Sequence, residues 1–292
     1  MVTLPTLGFK QILSSYFELA KPRISFLLML TALGCYFLAT PGDLSLWGAL
    51  ITLGAVGSSS VGIFALNHFM EHVQDALMAR TKDRPIPSGR IAPWAALVFG
   101  LVVLSGSLVF CWYLANPLTA LIAALVAFSY LLIYTPLKYK TPFHTALGAL
   151  PGAAPPLAGW AVAQNALPLE AWILFLLMFL WQFPHFLAIE MMYKDDYAKA
   201  QVQVVPTVDP SGFHMKWQIL VTTLLLFPTV LAPWYIGLSG PGYGILALAA
   251  TGGFFYYGLR LIHTQDRKDA RNLLRASVLY LPLIMGLLLS PL

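Results

Sequence analysis

Long apolar runs, separated by short polar links, dominate the chain. We place nine runs at 24–41, 46–67, 92–113, 115–134, 143–163, 168–190, 217–237, 241–262 and 273–291. A run of about 20 apolar residues can cross the roughly 30 Å hydrocarbon core of a bilayer as one helix. Lipid cannot hydrogen-bond the backbone, and the short alternating segments of a barrel are absent. The pattern therefore predicts an all-α integral membrane protein with nine transmembrane helices.

The polar links differ in charge in strict alternation. The links after spans one, three, five and seven contain no Lys or Arg, so all 17 basic residues fall on one side of the predicted membrane. Positive charge favours the cytoplasmic side, which predicts a cytoplasmic N-terminus and an outer C-terminus. We expect a single domain over 1–292, with cytoplasmic cap loops at about 68–91 and 191–216.

Composition agrees with this architecture. The chain is 59% hydrophobic and only 10% charged, whereas soluble domains carry about 25% charged residues. The net charge of +5 is explained by orientation, so we do not expect a nucleic-acid partner. We also expect no secretory signal or transit peptide, because the first twenty residues hold only Lys10 and Glu18 as charges. Cys35 and Cys111 are predicted to be buried free thiols.

A polar strip is predicted where the second span ends. Asn67, Glu71 and Asp75 follow one another at intervals of four residues, and on a helix each interval turns by only about 40°. His68 and His72 lie on the same polar face. Ionisable groups at this depth usually face a cavity. Two carboxylates and an amide oxygen are ligands that suit Mg²⁺.

Basic residues follow this strip directly. Arg80, Lys82 and Arg84 come within nine residues of Asp75, and their side chains suit phosphate oxygens. Carboxylates for a metal beside cations for phosphate indicate a diphosphate site. The alternative is a solvated helix end with basic residues that only orient the protein.

The sixth span ends in a second polar segment. His185 and Asp196 share a face if the helix continues, and Glu190 and Lys194 have the spacing of a simple ion pair. Two acidic segments on one membrane side can hold a diphosphate between bound metals. This segment alone is weak support for such a site.

Together, the two segments resemble the UbiA superfamily of intramembrane prenyltransferases. The superfamily's first signature is similar to Asn67-x-x-x-Glu71-x-x-x-Asp75 with Arg80-Thr81-x-x-Arg84-Pro85-x-Pro87-x-Gly89. Four further features resemble the branch that farnesylates heme, and the likeness covers roughly residues 15 to 210. They are Lys21-Pro22-Arg23-Ile24; Met78-x-Arg80-Thr81; the run from Leu137-Lys138 to Gly159-Trp160; and Trp181-Gln182-x-Pro184-His185-Phe186 with Lys194-Asp195-Asp196-Tyr197.

The resemblance implies a fold and a reaction. The fold is a nine-helix bundle around a central cavity. The reaction moves the farnesyl group of farnesyl diphosphate to a vinyl group of heme b, with water addition, and yields heme o and diphosphate. Mg²⁺ is the implied cofactor, whereas heme b is a substrate. Implied surroundings are a prokaryotic plasma membrane, a cytoplasmic active site, and a heme a synthase or terminal oxidase assembly proteins as partners.

The resemblance also implies roles for individual residues. Metal ligands would be Asn67, Glu71, Asp75, Asp195 and Asp196, and all of these except Asp195 are also the expected catalytic residues. Diphosphate would be bound by Arg23, Arg80, Arg84, Lys138 and Lys194. Heme contacts would be His68, His72 and His185, with a structural hydrogen bond to a neighbouring helix as the alternative for His185.

Some positions depart from the superfamily pattern. Glu71 replaces a frequent Asp but keeps a carboxylate, and Gln201 stands where a glycine is expected. His68 stands where quinone-pathway relatives have an acid, which favours heme as the acceptor. The alternatives are a UbiA-type enzyme that acts on an aromatic or quinone precursor and a membrane transporter. A transporter predicts charge near mid-membrane and two similar halves.

Overall fold

The computed structural model describes residues 8–42 and 45–290, and every regular element in these ranges is a helix. We number the helices in chain order. They are α1 (Phe9–Leu19), α2 (Pro22–Ala39), α3 (Leu46–Asp75), α4 (Pro93–Ala115), α5 (Pro117–Leu137), α6 (His144–Gly152), α7 (Pro155–Gln164), α8 (Leu169–Met192), α9 (Lys194–Lys199), α10 (Val205–Val208), α11 (Phe213–Tyr235), α12 (Pro241–Thr264) and α13 (Arg267–Leu288).

Eight helices within the described ranges are long and apolar enough to cross a membrane: α2, α3, α4, α5, α8, α11, α12 and α13. Large apolar side chains such as Phe26, Leu132 and Leu279 are exposed on their outer faces. A soluble protein rarely exposes so much contiguous apolar surface. The chain is therefore an all-α, multi-pass membrane protein, as predicted.

The fifth predicted span is broken into α6 and α7. Pro155 and Pro156 open α7 and lack the backbone N–H groups that would continue α6, which itself contains Pro151. Thr145 and Ala149 of α6 hydrogen-bond to Glu190 and Gln182 of α8. At the far end of α7, Gln164 Nε2 donates to the carbonyl of Ala39. The two short helices thus run along the bundle together.

Close helix approach holds the first half of the bundle together. A Cβ atom added to Gly62 of α3 would lie 2.7 Å from the backbone nitrogen of Leu104 in α4. Glycine is thus required for this α3–α4 contact. The second half, made of α8 and α11–α13, has a core of fully buried side chains that includes Leu177, Ile219 and Ile284.

Two local predictions have clear outcomes. Cys35 and Cys111 are free and buried, as expected. Gln201 has a left-handed backbone with a φ of 56°, a conformation that L-residues other than glycine adopt at a cost. This left-handed backbone explains why a glycine is expected at position 201.

Candidate diphosphate and metal site

Helix α3 stays regular through Asp75, so the cap loop predicted from 68 begins only at residue 76. The predicted strip therefore forms. Asn67, Glu71 and Asp75 are 0%, 6% and 1% exposed, respectively. Because their four-residue spacing matches the helical turn, all three face the interior of the bundle. We call the end of the bundle that holds them the polar end.

Each side chain of the strip contacts a cation from another segment. Lys138 Nζ lies 2.6 Å from Glu71 Oε1. Arg84 donates one guanidinium nitrogen to both carboxylate oxygens of Asp75, at 2.8 and 2.7 Å. The ammonium group of Lys21 donates to Asn67 Oδ1 at 2.8 Å. We call Asn67, Glu71, Asp75, Lys21, Arg84 and Lys138 the ion cluster; it contains three basic side chains and two carboxylates.

Lys21 is the residue that sequence reasoning missed, since the prediction chose Arg23 from the same motif. Lys21 has a left-handed φ of 45° at the start of α2, and its ammonium lies 4.9 Å from the ring of Phe64. Burial, and then the charge of Arg84, lowers the pKa of Lys21 to about 7. Arg23 is exposed and makes no side-chain hydrogen bond within the described ranges.

Lys138 directly follows α5, whose last turns are π-helical over Ser129–Tyr134. Its ammonium lies 4.5 Å from the centre of the Tyr134 ring. Burial disfavours the charged form, but the carboxylate of Glu71 outweighs this and raises the pKa of Lys138 well above its usual value. Lys138 is therefore a permanent cation in the cluster.

Neutral hydrogen bonds fix the ends of the strip. Asn67 Nδ2 donates to Thr135 Oγ1 at 3.2 Å, and that hydroxyl donates to the carbonyl of Tyr130 at 2.8 Å. Thr81 Oγ1 donates to the carbonyl of Asp75 at 2.8 Å. Both the oxygen and the nitrogen of the Asn67 amide thus have a hydrogen-bond partner. The hydroxyl of Thr81 caps the end of α3.

The two predicted cap loops meet above the ion cluster. Met78 packs with Ala200, Val202 and Val204 in a small buried core. Arg80 donates to the hydroxyl of Tyr197 at 3.2 Å, and its guanidinium lies 4.8 Å from the ring of Tyr193. In this structure Arg80 therefore joins the two loops, which is a different contact from the predicted phosphate contact.

Within the described part of the chain, the second acidic segment makes no comparable ion pairs. Lys194 and Asp195 are exposed, and Asp196 is half-buried. The simple Glu190–Lys194 pair does not form; Glu190 instead accepts hydrogen bonds from Thr145 Oγ1 at 2.7 Å and the Val205 N–H at 3.2 Å. Among the described residues, no three His, Cys, Asp or Glu side chains gather closely enough to hold a metal by themselves.

The predicted histidines fall into different environments. His68 is buried, and neither of its ring nitrogens has a hydrogen-bond partner among the described residues. His72 Nδ1 lies 2.6 Å from the carbonyl of Phe69. His185 Nδ1 lies 2.8 Å from Ser277 Oγ of α13, and its ring stacks on Trp181. His185 thus makes the structural hydrogen bond that was left open as its alternative role.

Two cavities lie near the ion cluster. An apolar cavity is lined by residues such as Ile63, Ala123 and Ala158, and Ile63 is one helical turn from Asn67. A polar cavity is lined by Lys138 of the cluster and by Glu190, among others. This arrangement can bind a strongly anionic head group at the polar end while a long apolar group extends into the bundle.

The class of protein follows from a family comparison. Residues 27–281 match the model of the UbiA prenyltransferase family. The chain therefore belongs to this family. The family match confirms the resemblance found in the sequence.

Several relatives share a more specific name. The chain is 42% identical to the protoheme IX farnesyltransferase of Solibacter usitatus (strain Ellin6076), over 94% of this chain and 97% of the relative. It is 40% identical to the protoheme IX farnesyltransferase of Opitutus terrae, over 94% and 93% of the two chains. The Koribacter versatilis protein of the same name is 35% identical, over 99% and 96%.

Solved structures support the fold. A digeranylgeranylglyceryl phosphate synthase matches with a TM-score of 0.77 at 17% identity, over 95% of this chain and 97% of the other. A UbiA homolog from Archaeoglobus fulgidus, bound to GPP and Mg²⁺, matches with a TM-score of 0.68 at 16% identity, over 94% and 99%. At these identities the likeness concerns the fold alone.

Proposed function

We propose that this chain transfers the farnesyl group of farnesyl diphosphate to a vinyl group of heme b, with addition of water, to give heme o and diphosphate. The names of three relatives at 35–42% identity support the two substrates. The observation that carries the proposal is the ion cluster itself. It gathers three basic side chains and two carboxylates at the polar end, one helical turn from residue Ile63 of an apolar cavity, as the charged head and apolar tail of a prenyl diphosphate require.

The strip suits Mg²⁺ as its cofactor. Glu71 and Asp75 are buried on one helix face, and each lies beside a basic side chain. Mg²⁺ is usually held by one or two carboxylates together with waters and substrate phosphates. Glu71 and Asp75 would hold it, with Asn67 assisting and Asp196 or Asp195 on the opposite side. Bound Mg²⁺ supplies positive charge that stabilises the leaving diphosphate.

The cations of the cluster bind and activate the diphosphate. Lys21, Arg84 and Lys138 stand beside the strip, where phosphate oxygens of the substrate would contact them. Arg23, Arg80 and Lys194 remain candidate phosphate contacts of the cap. As the bond from the farnesyl carbon to the diphosphate oxygen breaks, charge grows on the leaving group, and fixed cations stabilise that charge most strongly in a site that excludes water.

The apolar cavity protects the reactive carbon. Loss of diphosphate leaves an allylic cation, and apolar walls shield it from early capture by water. The vinyl group of heme attacks this cation and forms the new carbon–carbon bond. Water then adds to the cation left on the heme side chain and releases a proton, which leaves a hydroxyl group.

Heme b requires contacts near the same cavity. His68, His72 and His185 are the candidates, since a neutral imidazole is a usual ligand of heme iron. His68 is the strongest of the three, because its ring nitrogens have no partner among the described residues. His68→Ala should weaken heme binding far more than His185→Ala. Equal heme affinity of His68→Ala and the parent would refute the assignment.

We further propose that α6 and α7 together form a ninth crossing within a single domain over 1–292. Their hydrogen bonds to Glu190 at one end and to Ala39 at the other support this topology. With nine crossings the two termini lie on opposite sides of the membrane, and the basic loops favour a cytoplasmic N-terminus and polar end and an outer C-terminus, in a prokaryotic plasma membrane. The released heme o suits a heme a synthase or terminal oxidase assembly protein as the next partner.

A direct assay tests the reaction. Purified protein in detergent or nanodiscs is incubated with Mg²⁺, farnesyl diphosphate and heme b, and the products are analysed by mass spectrometry. We expect heme o and one diphosphate per heme o. A parallel incubation with 4-hydroxybenzoate tests the aromatic acceptor. Prenylated 4-hydroxybenzoate without heme o would overturn the proposed acceptor, and the absence of diphosphate release with either acceptor would overturn the reaction class.

A further inference from the structure

The first helix, α1, has three distinct faces. Phe9, Ile12, Leu13 and Phe17 fall within an arc of about 140° on the helical wheel. They are exposed, with Phe9 at 75% and Phe17 at 66%. Polar residues occupy the opposite arc. Between the two arcs, Ser15 and Leu19 are buried against the rest of the protein.

The apolar arc of α1 continues the lipid-facing surface of the bundle. Tyr16 packs edge-on against Phe99 of α4, with 5.0 Å between ring centres. Trp94, at the start of α4, is also exposed, and tryptophans are frequent at the boundary between membrane and water. Only Ala20 and Lys21 separate α1 from the membrane helix α2. The arc is thus at the level where lipid head groups begin.

Helix α1 is too short to cross the membrane. Its 11 residues span about 16 Å at 1.5 Å per residue, roughly half of the hydrocarbon core. A helix with one apolar and one polar arc lies in the plane of the interface, with the apolar side in the acyl boundary. We infer that α1 binds the phospholipid surface in this way and anchors the first cap loop to it.

Arg90 links α1 to the first cap loop. Its guanidinium lies 2.8 Å from Glu18 Oε2 of α1 and also donates to the carbonyl of Asp83 at 2.6 Å. Asp83 directly precedes Arg84 of the ion cluster. The membrane-bound helix therefore restrains the loop that positions Arg84, and the adjacent turn that positions Lys21.

Spin labels test the location of α1. Because Cys35 and Cys111 are both buried, Leu13→Cys and, as a matched control on the polar arc, Ser14→Cys can each carry one nitroxide in phospholipid nanodiscs. The unsubstituted protein measures background labelling. We expect the label at residue 13 to collide preferentially with oxygen and the label at 14 with an aqueous nickel chelate. The same preference at both sites would overturn the location. Dipolar broadening at residue 13 that disappears on dilution with unlabelled protein would do so too, because a second copy would then cover the arc.

A spin label at Asp83→Cys tests whether Arg90 links α1 to the first cap loop. We expect Glu18→Ala to increase the mobility of this label, whereas Ser14→Ala, on the same helix but away from Arg90, leaves it unchanged. Equal mobility in both variants would overturn the anchor and leave the location of α1 to be decided by the first experiment.

Discussion

The polar segments that follow α3 and α8 contain similar residues but use them differently. At the end of α3, Glu71 and Asp75 are buried and paired with Lys138 and Arg84. After α8, Asp195 is exposed and Asp196 is half-buried, and neither side chain makes a hydrogen bond within the described ranges. The difference arises from the backbone. Helix α3 continues through its acidic residues, whereas α8 ends at Met192, before its acidic residues begin.

This difference separates two kinds of carboxylate. Those of α3 have fixed positions and paired charges before any substrate arrives, so they are suited to hold a metal in one geometry. Those after α8 lie on a helix of six residues in the second cap loop, residues 191–216, which we call the roof. Glu190, which is buried, belongs to neither kind, because its hydrogen bonds to Thr145 and Val205 hold the roof against α6.

The largest expected effect is the loss of the paired carboxylate at Asp75. Asp75→Asn should lower turnover by about 10²- to 10³-fold, because the site loses charge where we propose that the metal and diphosphate bind. Steady-state kinetics with farnesyl diphosphate and heme b would measure it. Asp269→Asn is the matched control, since Asp269 is also buried and paired with an arginine, Arg260. Equal losses in the two variants would show that Asp75 serves only stability.

The pair of Glu71 and Lys138 should have the next largest effect, on the free energy of unfolding. Glu71→Gln or Lys138→Met alone leaves one buried charge without its partner and should cost about 3 kcal/mol. The double variant should cost less than the sum of the two, yet remain inactive. Denaturant unfolding in micelles measures the cycle. Strict additivity would show that the two charges do not interact.

The same pair predicts a pH dependence. The carboxylate of Glu71 raises the pKa of Lys138 well above its usual value, so the folded state binds this proton more tightly than the unfolded state. The stabilisation is fully present below the unfolded pKa and is lost as the pH rises through the folded pKa. Unfolding curves of the parent and Lys138→Met should therefore remain separate at pH 10. Convergence of the two curves below pH 9 would contradict the assignment.

The roof carboxylates should have smaller effects on turnover. Asp196→Asn should raise the Mg²⁺ concentration needed for half-maximal activity by about tenfold, since one charge-assisted contact to a ligand contributes roughly 1.5 kcal/mol. Asp195→Asn, at the more exposed neighbour, should change it less. Titration of activity with Mg²⁺ after chelator treatment measures both. An effect of Asp196→Asn as large as that of Asp75→Asn would show that the two segments contribute equally.

The smallest effect concerns the backbone of the roof. Gln201→Gly should stabilise the protein by about 0.5–1 kcal/mol, because glycine accepts the left-handed conformation without steric cost. Gln203→Gly is the control, since Gln203 does not share the positive φ of Gln201. Thermal unfolding of both variants decides the matter; a lower melting temperature for Gln201→Gly would contradict the interpretation.

Sequence reasoning found most of the fold and five of the six residues of the ion cluster. Apolar run length located the eight long membrane helices, because the bilayer sets a minimum length. Helical spacing found the strip of Asn67, Glu71 and Asp75. It did not select Lys21, because the contact between Lys21 and Asn67 joins residues 46 positions apart and no local pattern reports such a pair.

The sequence by itself therefore determined the membrane architecture, the polar strip of α3 and the family to which the chain belongs, because each depends on local periodicity or on adjacent motifs. Only the tertiary structure decided which cation meets which carboxylate, that His185 bonds to Ser277, and that Arg80 joins the two cap loops. These contacts depend on how separate helices pack. A side chain's partner is set by the elements that surround it, which its own segment does not encode.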